Sequence, residues 1–134
     1  LKKKQFKKYF ENIEVHPLTE DQIEACIIDE DNNLVLAGAG TGKTSTMVGR
    51  AGFLLESKQA KPENILMLAY GKEASKEMQD RMQQRINRDD VSISTFHKLG
   101  MNILSEVEGG QPNISKYAED NKSKNSVFKQ DVSK

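Results

Sequence analysis

The sequence predicts an α/β fold in which a parallel sheet lies between two layers of helices. Three observations indicate this fold. Segments of strand type alternate with amphipathic segments of helix type along the 134 residues. The run at 65–69 is continuously apolar, which is typical of a strand buried on both faces of a parallel sheet. A glycine-rich stretch at 37–44 follows a short apolar run and precedes a helix-type run.

Composition limits the classes of function. Lys plus Arg total 20 and Asp plus Glu total 20, so the net charge is zero and nucleic-acid binding would need locally placed cations. The single cysteine, Cys26, excludes an internal disulfide, and its helical spacing with Ile23 and Ile27 predicts a buried, inert thiol. No apolar run approaches the roughly 20 residues of a membrane span, so we expect no membrane partner and a cytoplasmic location. The chain begins with Leu, which favours a piece of a longer protein.

Residues 1–16 are predicted to form a basic amphipathic helix that belongs to an upstream segment. Apolar residues recur there three or four apart, at Phe6, Tyr9, Phe10 and Ile13. A solvated face is the favoured interpretation of the lysines at positions 2, 3, 4, 7 and 8, and a nucleic-acid contact is the alternative. Pro17 then interrupts, and Thr19 and Gln22 have the spacing of a capping box that opens a second helix.

The body of the domain, residues 17–110, contains three further strand–helix pairs. The strands are predicted at Leu34–Ala37, Ile65–Ala69 and Val91–Ser94. The apolar stripes of the helices that follow contain Met47, Val48, Ala51, Leu54 and Leu55, then Ala74, Met78 and Met82, and finally Phe96, Leu99, Ile103, Leu104 and Val107. This order implies right-handed crossovers between parallel strands. Residues 111–134 are rich in Lys and Ser and are predicted to be a weak helix, a loop or a disordered tail.

The strongest functional signal is the stretch Ala37-Gly38-Ala39-Gly40-Thr41-Gly42-Lys43-Thr44. Its glycines let the backbone curl so that successive N–H groups face one anion, and the following helix adds the positive end of its dipole. Lys43 would supply a positive charge to the β- and γ-phosphates of a nucleotide, and the hydroxyl of Thr44 would bind Mg²⁺. Ala37 stands where the usual pattern has its first Gly. The alternative is a glycine-rich turn without a ligand, which gives no reason for Gly-Lys-Thr.

Two further residue groups bear on a nucleotide site. Hydrolysis needs an acidic residue at the end of another strand to hold Mg²⁺ and to orient water. We reject Asp29 and Glu30 for this role, because they precede the glycine stretch and continue a capped helix. Gln22 has two interpretations, as the N3 residue of a capping box or as an amide that pairs bidentately with adenine, and the residues alone favour the first.

Two strand-to-helix junctions carry residues suited to nucleic acid. One is Ala69-Tyr70-Gly71-Lys72, and the other is Thr95-Phe96-His97. Ligands bind at strand ends in open α/β sheets, and aromatic rings stack on bases. Together the two junctions would form a track for a single strand, whereas capping by Thr95 and packing by Phe96 are the structural alternatives.

Four motifs in order resemble the N-terminal part of superfamily 1 DNA helicases of the UvrD/Rep type, in particular their helicase IV-like branch. Pro17–Gln22 is similar to the Q motif, whose glutamine contacts adenine, and Ala37–Thr44 is similar to motif I. Leu68–Ala74, followed by Glu77, Met78 and Arg81, resembles motif Ia, and Thr95–His97 resembles the Thr-Phe-His motif. Tyr70-Gly71 replaces the more usual Thr-Asn, and Ser45 stands where many members have Arg.

The resemblance implies an incomplete RecA-like P-loop domain. It implies that ATP and Mg²⁺ bind through Gln22, residues 37–44 and Ser45, with Lys43 and Thr44 as catalytic residues. It also implies two partners, single-stranded or partly duplex DNA at the two junctions and the second motor domain of the helicase chain. Motif II and the arginine fingers are absent, so we expect ATP binding without competent hydrolysis, and residues 111–134 would lead into a helical insertion.

Two other functions stay open from the sequence. One is a P-loop kinase that acts on nucleotides or small molecules, although the arginines fall on predicted helices rather than in a lid loop. The other is a nucleic-acid-binding module without ATP turnover.

Overall fold

The computed structural model describes residues 5–110 and residue 112. This part of the chain contains five α-helices and a pair of parallel strands. In chain order the elements are α1 (Lys7–Asn12), α2 (Glu20–Ile27), α3 (Lys43–Glu56), β1 (Leu66–Ala69), α4 (Lys72–Arg81), β2 (Ser92–Thr95) and α5 (Phe96–Glu108). A 3₁₀ turn at Pro62–Asn64 precedes β1, and a π-helical turn at Met82–Ile86 extends α4. The predicted tail at 111–134, apart from residue 112, and the lysines at 2–4 lie outside the described residues.

The described residues up to Phe96 form one compact unit, and those from His97 onward belong to a second. In the second unit the chain continues as α5. This helix ends at Glu108 and is followed by Gly109, which has φ of +69°. The predicted apolar stripe is present on α5, yet none of the residues of this helix is buried. Ile103, Leu104 and Val107 are 51%, 46% and 79% exposed.

The strand predicted at Leu34–Ala37 is not formed, which corrects the sequence-based expectation. Residues 33–38 adopt neither helix nor strand, and the side chains of Leu34 and Leu36 are 85% and 86% exposed. A strand needs a neighbour that bonds its N–H and C=O groups. The sheet in the described part of the chain contains β1 and β2 alone, so this segment has no partner there.

The strands β1 and β2 are parallel, with Leu66 opposite Ser92 and Ala69 opposite Thr95. Both strands show a buried residue at every second position, which for β1 differs from the burial on both faces that is predicted for residues 65–69. The reason is that one face of the pair carries the core. That core consists of Val48, Ala51, Met67, Ala69, Met78, Met82, Val91 and Ile93.

Helix α3 is the central helix of the first unit, because it contributes to two separate cores. Val48 and Ala51 pack in the sheet core, whereas Phe53 belongs to a second core that lies toward the N-terminus. The second core consists of Phe10, Ile13, Leu18, Cys26 and Phe53. The prediction that Cys26 is a buried thiol is therefore confirmed.

Contacts between α1 and α3 are close because α3 has a glycine at position 52. The hydroxyl of Tyr9 donates a hydrogen bond of 3.2 Å to the carbonyl oxygen of Gly49. The same hydroxyl occupies the space that a Cβ atom at Gly52 would need. Burial raises the pKa of this phenol well above its usual value.

The buried face of α4 differs by one residue from the predicted face. Ala74 was expected to pack with Met78 and Met82, but it is exposed, and Ser75 is buried in its place. Positions 75, 78 and 82 are three and four apart, so they share one side of the helix. Helical periodicity alone is compatible with burial of either position 74 or position 75 beside Met78 and Met82.

Candidate functional site

The glycine-rich loop, residues 37–42, leads directly into α3. Gly40 and Gly42 have φ of +72° and +83°, and Gly42 is the N-cap of the helix. These left-handed conformations explain why glycine stands at both positions. The backbone N–H of Thr46 donates to the carbonyl oxygen of Gly42 at 2.9 Å. It is the first helical bond, so the amides of residues 43–45 have no acceptor within the helix.

Two side chains converge on one carbonyl oxygen inside this loop. The ammonium of Lys43, the first residue of α3, donates to the oxygen of Gly38 at 2.7 Å. The hydroxyl of Thr41 donates to the same oxygen at 2.8 Å. These two bonds tie the end of the loop back to Gly38 and leave the positive charge of Lys43 at the mouth of the loop. Thr44, which is half-buried, follows in the first turn of α3.

Gln22 joins this loop to the start of α2. Its Oε1 accepts the backbone N–H of Thr19 at 2.9 Å, and Thr19 Oγ1 accepts the backbone N–H of Gln22 at 3.3 Å. The capping box predicted from the sequence is thus confirmed. In addition, Nε2 of Gln22 donates to the carbonyl oxygen of Thr41 at 2.9 Å. Each end of the amide keeps one further hydrogen-bonding position, because the oxygen has two lone pairs and the nitrogen two N–H groups.

A cavity of about 400 Å³ lies beside this amide. Its lining includes Gln22, Ala25, Leu36, Gly38 and Thr41. It therefore combines an amide, loop backbone and apolar side chains, which is the mixture found in sites for small ligands.

Ser45 connects the first turn of α3 to a charged network. Its Oγ accepts a hydrogen bond of 2.8 Å from Arg81 Nη1. Arg81 also pairs with Glu14 at 3.0 Å and with Glu77 at 2.8 Å, and Arg85 lies 3.7 Å from Glu14. The side chain of Glu14 is 8% exposed, so a nearly buried carboxylate balances two guanidinium groups. The spacing of Glu77 and Arg81 was visible in the sequence, whereas nothing there indicated Glu14.

Arg50, two turns along α3 from Lys43, covers the end of α2. Its Nη1 donates to the carbonyl oxygens of Ala25 at 3.3 Å, Cys26 at 3.2 Å and Ile28 at 2.7 Å. The last carbonyls of a helix lack helical donors and carry partial negative charge, so a guanidinium is well suited to this position. The sequence indicates that Arg50 lies on a helix, like the other arginines, but it gives no partner for it.

Cys26 makes a further contact between α2 and α3. Its Sγ donates to the carbonyl oxygen of Thr46 at 3.4 Å. Burial raises the pKa of this thiol to about 12, although the nearby charge of Arg50 acts in the opposite direction.

The two predicted junctions meet at one end of the strand pair. Because Ala69 and Thr95 are opposite each other, Tyr70 and Phe96 both follow directly from that end. Tyr70 is 98% exposed and Phe96 62% exposed, whereas Ala69 and Thr95 are buried. Gly71 is the N-cap of α4, and Lys72 is its exposed first residue. His97 is exposed on α5 and falls in the second unit.

Two negative findings apply to residues 5–110 and 112. No group of three or more His, Cys, Asp or Glu side chains there is placed to hold a metal ion. None of the helices in that range is long and apolar enough to cross a bilayer.

These features describe an α/β domain in which a glycine loop precedes the central helix and two aromatic residues follow adjoining strands. Residues 18–134 match the family model of the UvrD/REP helicase N-terminal domain. The chain belongs to this family, and the resemblance drawn from its four motifs is confirmed.

Individual relatives agree with this assignment. The chain is similar to DNA helicase IV of Escherichia coli (strain K12), with 40% identity over 120 residues that cover 90% of this chain and 18% of the relative. It is also similar to DNA helicase II of Rickettsia typhi, with 38% identity over 92 residues, or 69% of the chain and 14% of the relative. ATP-dependent DNA helicase PcrA of Staphylococcus epidermidis is 35% identical over 95 residues, or 69% of the chain and 13% of the relative. The chain thus spans less than a fifth of the length of these relatives.

Proposed function

We propose that this chain is the ATP-binding N-terminal part of an ATP-dependent DNA helicase that moves along single-stranded DNA. The relatives are DNA helicases by name, and they are far longer than this chain. Helicase activity is therefore proposed for a whole protein with a second motor domain. For the chain itself we propose a RecA-like motor domain, incomplete here, that binds ATP and Mg²⁺ without competent hydrolysis.

The observation that carries this proposal is the position of Lys43 at the mouth of the glycine loop. Its ammonium has three N–H donors. It can therefore donate to a phosphate after leaving the oxygen of Gly38, or while one N–H still donates to that oxygen. A Cβ atom at Gly40 would meet nothing within 4 Å, so the loop has room on that side. Amides without helical acceptors, a helix dipole and a cation together fit the β- and γ-phosphates of a nucleotide.

The residues beside the loop fit the rest of Mg-ATP. The hydroxyl of Thr44 would bind Mg²⁺, which neutralises the charge of the phosphates when it is bound. The hydroxyl of Ser45 accepts from Arg81 and can still donate to a phosphate oxygen. The remaining N–H and lone pair of Gln22 suit adenine, which offers N7 as acceptor and N6–H₂ as donor.

The DNA-binding part of the proposal is supported by the junctions of Tyr70 and Phe96. Two exposed aromatic rings at one end of a strand pair can stack on successive bases, and the cation of Lys72 can contact the backbone. Ala69, Gly71 and Thr95 complete the proposed contact region of the first unit, and His97, in the second unit, is proposed as a DNA contact by itself. Closure of two motor domains on ATP and their reopening after hydrolysis would move the protein along the strand.

Thermal unfolding with Mg-ATP tests the nucleotide site. Ligand at a hundredfold excess over its Kd should raise the free energy of unfolding by about 2.7 kcal/mol. Lys43→Ala should abolish this gain, whereas Lys61→Ala should keep it, because Lys61 is 79% exposed and lies 3.9 Å from its partner Glu63. Equal stabilisation of the Lys43→Ala chain would overturn the proposal. Phosphate transfer from ATP to a nucleotide or small-molecule acceptor would favour the kinase alternative instead.

A further inference from the structure

Three side chains connect α2 to the loop and to α3. At the start of α2, Gln22 Nε2 donates to Thr41. Near the end, at the seventh of the eight helical residues, the thiol of Cys26 donates to the carbonyl oxygen of Thr46. At the end, Arg50 donates to three carbonyls of α2 and its C-cap, the shortest of these bonds being 2.7 Å to Ile28. The proposed adenine-reading amide and the guanidinium therefore lie at opposite ends of one short helix.

The position of α2 depends on such contacts, because the helix has eight residues. A helix of this length is marginal by itself, so tertiary contacts determine where it lies. Its length is about 12 Å, so little more than two helical turns separate its two ends. Arg50 places a positive charge against the carbonyl oxygens at the C-terminal end of α2.

The orientation of the Gln22 amide decides which base it accepts. Its oxygen is held by the N–H of Thr19 and its nitrogen by the oxygen of Thr41, so the free acceptor and donor positions have fixed places. Adenine offers a donor and an acceptor at N6 and N7, whereas guanine offers two acceptors at O6 and N7. An amide held in this way pairs with adenine and sets its oxygen against O6 of guanine.

We infer that Arg50 is a positioning residue for purine selectivity, which acts by holding α2 so that the Gln22 amide keeps this orientation. The inference rests on the proposed nucleotide site and adds a residue that does not itself contact the nucleotide. Loss of Arg50 leaves three carbonyl oxygens at the end of α2 without this donor, so the helix shifts against α3 and the amide loses its fixed relation to Thr41. The affinity that the phosphate contacts contribute should stay unchanged, and the preference for adenine over guanine should be lost.

Calorimetric titration of the 134-residue chain with Mg-ATP and Mg-GTP tests this inference. Arg50→Met should lower the ratio of ATP to GTP affinity by about two- to thirtyfold, while the affinity for Mg-GTP stays unchanged. Arg88→Met is the matched control, because it removes a guanidinium that pairs with Asp90 at the surface, and it should leave the ratio unchanged. In the Gln22→Ala background, Arg50→Met should have no further effect on the ratio. An equal loss of affinity for both nucleotides, or an unchanged ratio, would overturn the inference.

A second measurement needs no nucleotide and separates this inference from the proposed function. The backbone N–H of Thr19 donates to Gln22 Oε1, so its exchange with water, measured by NMR, reports the position of the amide. Arg50→Met should speed this exchange and leave exchange in β1 unchanged. Arg50→Lys should give an intermediate exchange rate at Thr19. It is the variant to measure if Arg50→Met does not fold. Unchanged Thr19 exchange in both variants contradicts the positioning role even if Mg-ATP binds. Failure of the parent chain to bind Mg-ATP contradicts the proposed function, whatever the exchange shows.

Discussion

The Nε2 atom of Gln22 donates a 2.9 Å hydrogen bond to the carbonyl oxygen of Thr41, which lies 19 residues further along the chain. The same side chain closes the capping box with Thr19. Formation of α2 and the shape of the glycine loop are therefore linked through one amide. The two interpretations of Gln22 drawn from the sequence are compatible, since the capping bonds leave hydrogen-bonding positions for a base.

Substitution of Gly42 by Ala should be more harmful than substitution of Gly40 by Ala. Both glycines have left-handed backbone conformations, which cost Ala about 1–2 kcal/mol. At Gly42 the new Cβ would also lie 2.6 Å from Gln22 Nε2, whereas at Gly40 it would meet nothing within 4 Å. Urea unfolding of both variants should show a larger loss of stability for Gly42→Ala. Equal losses would mean that the amide of Gln22 moves aside without cost.

Glu14→Gln should lower the free energy of unfolding by about 1–3 kcal/mol. The change leaves Arg81 and Arg85 without the carboxylate that both of them contact. Glu11→Gln is the matched control, because its pair with Lys7 is exposed and spans 3.7 Å, and the expected loss is below about 0.5 kcal/mol. Similar losses for the two variants in urea unfolding would show that the Glu14 network adds little stability.

Tyr70→Ala and Phe96→Ala should each weaken binding of a single-stranded oligonucleotide by about 1–3 kcal/mol. Both rings are largely exposed, so the free energy of unfolding should change little. Leu66→Ala is the control, because Leu66 is 49% exposed and stands at the other end of β1. Fluorescence anisotropy with a labelled oligonucleotide measures these affinities. A comparable loss with Leu66→Ala would argue against stacking at the two junctions.

The thiol of Cys26 should react with iodoacetamide far more slowly in the folded chain than in guanidinium. Burial raises its pKa from 9.0 to about 12. The reactive thiolate at pH 8 is therefore about a thousandfold scarcer than in the unfolded chain. Mass spectrometry follows the labelling, and rapid modification of the folded chain would contradict the buried site.

The same pKa shift predicts the sign of a pH effect on stability. The unfolded thiol loses its proton near its ordinary pKa of 9.0, whereas the folded thiol keeps it until about 12. Its contribution to the free energy of unfolding is thus complete below pH 9 and is lost as the pH rises toward 12. Cys26→Ala should flatten this part of the pH dependence in urea unfolding.

Local signals allowed most helices and two strands to be predicted from the sequence. The capping box fixed the start of α2, and the glycine that precedes Lys43 fixed the start of α3, because both features depend on residues close in the chain. Strands β1 and β2 begin and end within about one residue of the predicted positions.

The errors came from features that depend on distant residues. The run at Leu34–Ala37 has strand composition, but pairing requires a neighbour that no local pattern supplies. The contacts of Arg81 with Glu14, and of Arg50 with the end of α2, join positions 67 and 22–25 residues apart. Charge and spacing can suggest an ion pair within one helix, such as Glu77 with Arg81, but they give no partner on another element.

The docking of Tyr9 against α3 gives the chain an optical reporter of its own. The sequence has no tryptophan and three tyrosines, at positions 9, 70 and 117, so phenol rings dominate its ultraviolet emission. The phenol of Tyr9 is bonded to Gly49, whereas that of Tyr70 is in water. Detachment of the first helix from the central one would change the surroundings of the Tyr9 phenol alone of these two, and its emission would register that event without any added dye.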